Sequence, residues 1–305
     1  MMNESTFIGL MRAIATDPEA RGLLDDTAVI EFGTETLILT HDMMAEGVHW
    51  LPSADPADVA WKLVASNLSD LAAKGARPLG VLLGFMLGED DWDRKFAVGL
   101  QEVLTRYEVP LLGGDTVANR GDKRALGLTA IGAATHRPVP ARSGAQAGDL
   151  LYVTGFLGNA LAGFELIEAG FTDTGDLAAA YNRPEPRLSE GRALAPVVTA
   201  MMDISDGLLL DAERMAKASG VGISIDLSVI PLSMQYQKQR GNGKDSRLQA
   251  ASWGDDYELL FAAPSSAVIP VSANLIGKVT EGAGPTLHYN GQRIELPASL
   301  GYQHH

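Results

Sequence analysis

Apolar segments that run into acidic turns recur along this chain, and they constrain its fold more than any other feature. The clearest is Met201-Met202-Asp203-Ile204-Ser205-Asp206-Gly207, where two carboxylates stand three residues apart and a helical pattern begins at Leu208. Others are Asp25-Asp26, His41-Asp42, Asn67-Leu68-Ser69-Asp70, Gly113-Gly114-Asp115 and Gly254-Asp255-Asp256. A carboxylate pair at a strand end, beside the positive end of a helix, suits a hard cation and a phosphate together. One such cluster would mean little, because a single Asp more often makes a turn or a cap. Repeated in both halves, the clusters imply two related α/β layers whose strand ends build one multi-metal phosphate site.

Between the clusters the periodicity is readable. Phe7 to Ala15 reads as a short helix, and Thr27–Phe32 and Thr36–Thr40 as strands joined at Gly33. Asp55 before Pro56 predicts a capped helix running to about Lys74, with Gly75 past its end. Val59, Leu63, Val64, Leu68 and Leu71 form its apolar stripe. Lys62, Ser66, Asp70 and Lys74 recur four apart and read as its solvated face. Leu79–Leu87 reads as a buried strand, Asp91–Tyr107 as an amphipathic helix, and Val109–Leu112 as a strand delivering Gly113-Gly114-Asp115. After a strand at Leu126–Ala134, Pro138, Pro140 and Arg142-Ser143-Gly144 break the pattern. This places a domain boundary near Pro138, dividing the chain into 1–137 and 138–305. A strand at Asp149–Thr154, a helix after Gly158, a helical stretch around Ser189–Ala200 and a helix from Leu208 to Ser219 follow. Tyr236–Gln249, polar and glycine-containing, reads as a mobile loop. The N-terminal strands carry few breakers to protect an edge, and unpaired edges invite a second chain.

Composition excludes several function classes. A net charge of −14 argues against a nucleic-acid backbone as the main partner. The absence of Cys rules out disulfides, thiolate-bound zinc, iron–sulfur clusters and thiol nucleophiles, and fits a cytoplasmic setting. The start Met-Met-Asn-Glu-Ser-Thr-Phe lacks the regions of a signal peptide, and no apolar run is long enough to span a bilayer. The His residues show no zinc spacing, and the oxygen-rich clusters favour Mg²⁺. Neither Gly-x4-Gly-Lys-Ser/Thr nor a helix-opening Gly-x-Gly-x-x-Gly is present. Any nucleotide is therefore held through carboxylate-bound cations. His49 beside Trp50 reads as packing, and Arg142 as a phosphate contact or a linker residue. Taken alone, the residues lead to a Mg²⁺-dependent α/β protein acting on phosphates, without naming a substrate.

The motifs, in their order, resemble those of the thiamine-monophosphate kinase family, within the aminoimidazole-ribonucleotide-synthetase-like superfamily. They are Leu24-Asp25-Asp26-Thr27-Ala28, Thr40-His41-Asp42 with Glu46-Gly47-Val48-His49, and Trp61-Lys62 with Asn67-Leu68-Ser69-Asp70-Leu71-Ala72-Ala73. Gly113-Gly114-Asp115-Thr116, Arg142-Ser143-Gly144-Ala145, Gly148-Asp149, Asp203-Ile204-Ser205-Asp206-Gly207-Leu208 and Asp255-Asp256-Tyr257-Glu258-Leu259-Leu260-Phe261 complete the set. The resemblance implies two α/β domains, with the N-terminal domains of a homodimer pairing into a β-barrel. It implies ATP-dependent phosphorylation of thiamine monophosphate to thiamine diphosphate. By position, Asp26, Thr40, His41, Asp42, Asp70, Asp115, Asp203 and Asp206 would hold several Mg²⁺ ions. Gly114, Asp115, Arg142 and Ser205 would meet ATP, and His49, Asp255 and Tyr302 the thiamine phosphate. Several positions depart from the family pattern: Leu24 replaces a usual Gly, His41 a common Thr and Asp255 a usual Glu, Trp253 precedes Gly254, Val117-Ala118-Asn119-Arg120-Gly121 is longer than usual, and the chain ends in His where Phe is usual. Within the superfamily the alternative is an ATP-dependent cyclo-ligase or amide-activating enzyme. From a different class, the alternative is a nucleotide-binding dimer without activity.

Overall fold

The computed structural model describes residues 4–172 and 174–303. Met1–Asn3, where the signal-peptide reading begins, and the last two residues of the chain lie outside it. The first half comprises α1 (Glu4–Arg12), β1 (Ala28–Phe32), β2 (Glu35–Ala45), α2 (Pro56–Ala73), β3 (Ala76–Leu87), α3 (Asp90–Arg106), β4 (Leu111–Ala118) and β5 (Ala125–Ala134). The strands form one five-stranded sheet in the order β1-β2-β5-β3-β4. All neighbours are antiparallel except β3 and β4, which α3 connects as a parallel unit.

The second half begins with β6 (Leu150–Thr154), α4 (Asn159–Glu168), α5 (Gly175–Asn182), α6 (Leu188–Leu194), β7 (Ala200–Asp203) and α7 (Leu208–Ser219). It continues with β8 (Gly222–Asp226), α8 (Met234–Arg240), α9 (Lys244–Ser252), β9 (Leu259–Ala263), β10 (Ala273–Thr280), β11 (Gly284–Tyr289) and β12 (Gln292–Ile294). Its sheet is seven-stranded, in the order β12-β11-β8-β10-β6-β9-β7. β7 is therefore an edge strand, and its last residue is Asp203.

α2 starts as its sequence predicts. The Asp55 side chain accepts the Ala57 N–H at 2.9 Å, and Pro56 occupies the first turn. Its surroundings differ from the surface position expected. Lys62, Ser66, Asp70 and Lys74 are all buried, together with Asn67 and Ser69. The reason is that α2 has no free side. It packs on β2, β3 and β5 of the first sheet and on α6 and β7 of the second half, and Leu63, Val64 and Leu71 share one core with Leu188, Leu194, Met201 and Phe261. The contact with α6 is close enough to demand glycine: a Cβ at Gly191 would stand 1.9 Å from the Ala72 carbonyl oxygen.

Two further expectations are corrected. The strand after α3 does not stop at Leu112; β4 runs through Gly113-Gly114-Asp115-Thr116, each paired to β3. Nor is Tyr236–Gln249 a loop. Ser233 caps α8 by accepting the Tyr236 N–H at 3.0 Å. Tyr236 is fully buried and donates its hydroxyl to the Ser246 carbonyl in α9 at 2.8 Å. One buried aromatic and the apolar pair Ala250-Ala251 anchor both helices, so polar composition elsewhere in the segment misleads.

Replacement Gly191→Ala is expected to lower stability by about 1–3 kcal/mol, because α6 must move off α2 to admit a methyl group. Denaturant unfolding reads this as a lower midpoint at unchanged slope. An unchanged midpoint would mean that the joint has slack.

Candidate active site

The buried polar edge of α2 gathers carboxylates from separate parts of the chain. Thr40 on β2 donates its hydroxyl to Asp70, and Ser69 donates to Asp203 at the end of β7 at 2.8 Å. The Asp42 N–H donates to Asn67 Oδ1 at 3.0 Å, which seats β2 on the helix. Lys74 donates to Asp25 at 2.5 Å and to Asp26 at 2.6 Å, in the turn before β1. As a result, oxygens of Asp26, Asp70 and Asp203 lie within 4.8 Å of one another. Asp42 faces the same group closely enough to feel the charges of Asp26 and Asp206. A cleft of about 320 Å³, lined by Asp25, Asp26, Thr40, His41, Asp42 and Thr129 among others, opens beside it.

Burial and mutual repulsion dominate the electrostatics here. Burial, then the charges of neighbouring carboxylates, pushes Asp70 and Asp203 well above the usual carboxylate range. Asp42 is pushed up to about 6, chiefly by burial. Asp26 goes the other way: burial would raise it, but Arg142 and Lys74 together outweigh burial and hold it below the usual range. Carboxylates that share a dry site and resist ionising together are a donor set short of positive charge. Three converging hard oxygens with no soft ligand among them fit Mg²⁺ or a similar cation. Arg214 donates to Asp206 at 2.6 Å and to buried Asp211 at 2.8 Å.

A second polar group adjoins the first. Lys62, also on the buried edge of α2, donates to Asp255 at 2.8 Å and to the His49 carbonyl at 3.1 Å. Its ammonium lies 3.7 Å from the centre of the Tyr181 ring, a cation–π contact. Burial pulls this lysine below its usual range, against the opposing pull of Asp255. Tyr257 donates its hydroxyl to the other Asp255 oxygen at 3.1 Å and senses the charges of Asp42 and Asp203. Asp255 and Tyr257 both adopt left-handed backbone, with φ of 63° and 50°. Non-glycine residues are strained there, and such strain clusters at functional sites. The segment is held by main-chain bonds to the Asp203–Asp206 turn: Asp255 N–H to Ser205 O and Tyr257 N–H to Ile204 O, each at 2.8 Å. A Cβ at Gly254 would sit 2.2 Å from the Ser205 oxygen, so only glycine permits this approach. Asp256 and Glu258 turn away from the cleft. Asp256 accepts the Gly158 N–H at the start of α4, and Glu258 pairs with Arg187 at 2.7 and 2.5 Å.

The remaining sequence-derived candidates are placed as follows. Arg142 grips Asp26 and also reaches the Leu24 carbonyl. His41 Nδ1 is 2.9 Å from the Thr129 hydroxyl. His49 Nδ1 accepts the Ala45 N–H at 3.0 Å. Ser205 gives its carbonyl to Asp255, and Tyr302 donates its N–H to the Asp206 carbonyl at 2.9 Å. Gly114 and Asp115 lie on exposed β4, where Asp115 takes the N–H of Thr116 at 2.9 Å; Asp115 is not among the converging carboxylates. Sequence reasoning missed Lys62, Lys74, Ser69, Arg214 and Tyr257. For the two lysines a signal existed: they share the Ser66–Asp70 line on a helix whose other residues are nearly all apolar or small.

The chain matches the model of the AIR synthase related protein N-terminal domain over residues 24–134 and that of the C-terminal domain over 146–290. A curated thiamine-monophosphate kinase of Caulobacter vibrioides is 37% identical, over 94% of this chain and 86% of its own length. A solved structure described as AaThiL complexed with AMPPCP and TMP is 31% identical, with a TM-score of 0.88 over 98% of this chain and 97% of that one. The crystal structure of thiamine monophosphate kinase from Aquifex aeolicus is 30% identical, with a TM-score of 0.81 over 94% and 98%.

A cation that relieves this crowding must stabilise the fold. Mg²⁺ at about a hundred times its dissociation constant is expected to add about 2.7 kcal/mol, read as a rise in the thermal midpoint. Asp203→Asn should lose most of that gain, yet be no less stable than the parent in EDTA, since it removes a like charge and keeps an acceptor for Ser69. A variant destabilised in EDTA with its Mg²⁺ response intact would sink the metal reading.

Proposed function

The chain belongs to the thiamine-monophosphate kinase family of the AIR synthase related proteins, and on that premise we propose that it transfers the γ-phosphoryl group of ATP to thiamine monophosphate, giving thiamine diphosphate. What carries the reading is the convergence of Asp26, Asp70 and Asp203, distant in sequence, on one buried point. Asp26, Asp42, Asp70 and Asp203 would hold Mg²⁺, with Thr40, His41, Asp115 and Asp206 as the remaining contacts of a set of several ions. When bound, Mg²⁺ neutralises the charge between two phosphate groups that would otherwise repel.

The protein's own groups orient the reactants. Arg142, anchored on Asp26, is a cation at the cleft for the ATP phosphates, with Gly114, Asp115 and Ser205 as further nucleotide contacts. Asp255 is fixed from both oxygens by Lys62 and Tyr257, so it stands as a polar contact at a set place for the thiamine substrate. The Tyr181 ring is the adjacent aromatic surface, and His49 and Tyr302 complete that side. The transfer is direct and in line. Asp70 and Asp203 already accept hydroxyl protons, and Asp26 is gripped by two cations, so none is a free nucleophile. The acceptor phosphate is an anion at neutral pH and needs positioning more than a base.

The same reading extends to assembly and location. β4 is an edge strand exposed along its whole length, with Leu111, Leu112 and Val117 outward. Such an edge needs cover. We assign it to a second copy, the two N-terminal sheets closing into a barrel, with domains dividing at 1–137 and 138–305. No helix among the described residues is long and apolar enough to cross a membrane. The cytoplasm, where ATP and Mg²⁺ are abundant, is the proposed location.

Asp255→Asn keeps an acceptor for Lys62 and removes the charge. It is expected to raise KM for thiamine monophosphate about tenfold to a hundredfold, the worth of a charged contact, and to leave KM for ATP within about twofold. Equal effects on both would make Asp255 structural. Chiral γ-labelled ATP should give inversion at phosphorus; retention would overturn direct transfer.

A further inference from the structure

Lys74 ends α2 with no exposed surface. Its ammonium donates to Asp25 Oδ1 at 2.5 Å, to Asp26 Oδ2 at 2.6 Å and to the Met201 carbonyl at 3.4 Å. All three of its protons therefore point at oxygen. The other oxygen of Asp26 belongs to Arg142. Asp26 is also one of the three carboxylates that converge within 4.8 Å. A lysine withdrawn from water is costly unless fixed counter-charge meets it. Here the counter-charge is a carboxylate that the metal reading assigns to divalent ions.

We propose that Lys74 is a built-in counter-ion of the metal cleft: it holds the cluster together when no divalent ion is bound and limits how tightly a free ion can settle on Asp26. The inference rests on the metal reading of Asp26, Asp70 and Asp203. Crowded carboxylates without positive charge repel one another and loosen the packing around them. Lys74 supplies one charge permanently, from a side closed to solvent, where it cannot exchange. That same charge repels a divalent ion drawn to the same carboxylate. Its effect on ion affinity and its effect on the stability of the ion-free cleft therefore have opposite signs. Lys74 acts through Asp26 and is a positioning residue.

The opposite signs make the test. Full-length wild type, Lys74→Met and Lys74→Arg are compared by Mg²⁺ calorimetry without nucleotide and by thermal unfolding in EDTA. Lys74→Met should unfold at a lower temperature in EDTA, bind Mg²⁺ at least about tenfold more tightly, and regain most of the lost midpoint at saturating Mg²⁺. Lys74→Arg, which keeps the charge, should stay close to wild type in affinity. A merely structural lysine would lower stability and weaken Mg²⁺ binding together, and that result overturns the proposal. If Lys74→Met folds only when Mg²⁺ is present, the proposal is supported; failure to fold at millimolar Mg²⁺ overturns it. Unchanged affinity in a folded variant, beside a wild type that binds, refutes the role of Lys74 alone. A wild type that binds no Mg²⁺ refutes the metal reading itself.

Discussion

Every feature of the site depends on burying the polar edge of α2. A helix packed on both sides normally fills itself with apolar residues. This one keeps Lys62, Ser66, Asn67, Ser69, Asp70 and Lys74 inside the protein. Each must find a partner, because an unpaired polar group there costs several kcal/mol (about 2–7) and an unpaired charge more. The partners come from elsewhere: Thr40 and Asp42 from β2, Asp26 from the turn before β1, Asp203 from β7 and Asp255 from the 254–258 segment. Satisfying the helix and assembling the site are thus one requirement.

The charges are not balanced evenly. Lys74 and Arg142 hold Asp26 ionised, while Asp42, Asp70 and Asp203 crowd together with only hydroxyls for company. The cluster as a whole carries more carboxylates than cations. That imbalance favours cations, together with the phosphates they accompany. Lys62 gives the neighbouring Asp255 the same kind of fixed backing, and strained backbone at Asp255 and Tyr257 holds the carboxylate at its station.

Much of this was legible in the sequence, where local rules decide. The Asp55 cap and Pro56 start of α2, the Gly220 stop of α7 and the β1–β2 hairpin follow from capping and turn chemistry that neighbours in sequence settle between themselves. The acidic motifs also marked Asp26, Asp42, Asp70 and Asp203 as a group, because their order resembles a known family. Where polar composition was read as exposure, the reading failed. Tyr236–Gln249 looked mobile and is two helices pinned by one buried tyrosine. Separately, the two glycines that follow Leu112 end the expected strand after α3 there, and it continues as paired strand through Thr116.

The sequence by itself determined which residues could serve as metal donors and where helices begin and end, since those depend on side-chain chemistry and bonds a few residues long. Only the tertiary structure decided that Lys62 and Lys74 are interior cations. Periodicity shows that four polar residues share one side of a helix, but not whether water or a second sheet lies beyond it. Leu188, Leu194, Met201 and Phe261 close over α2 from more than a hundred residues away (about the length of a domain). Burial then turns an ordinary charged face into fixed counter-charge, because removing water strengthens each interaction between charges and penalises every charge left unpaired.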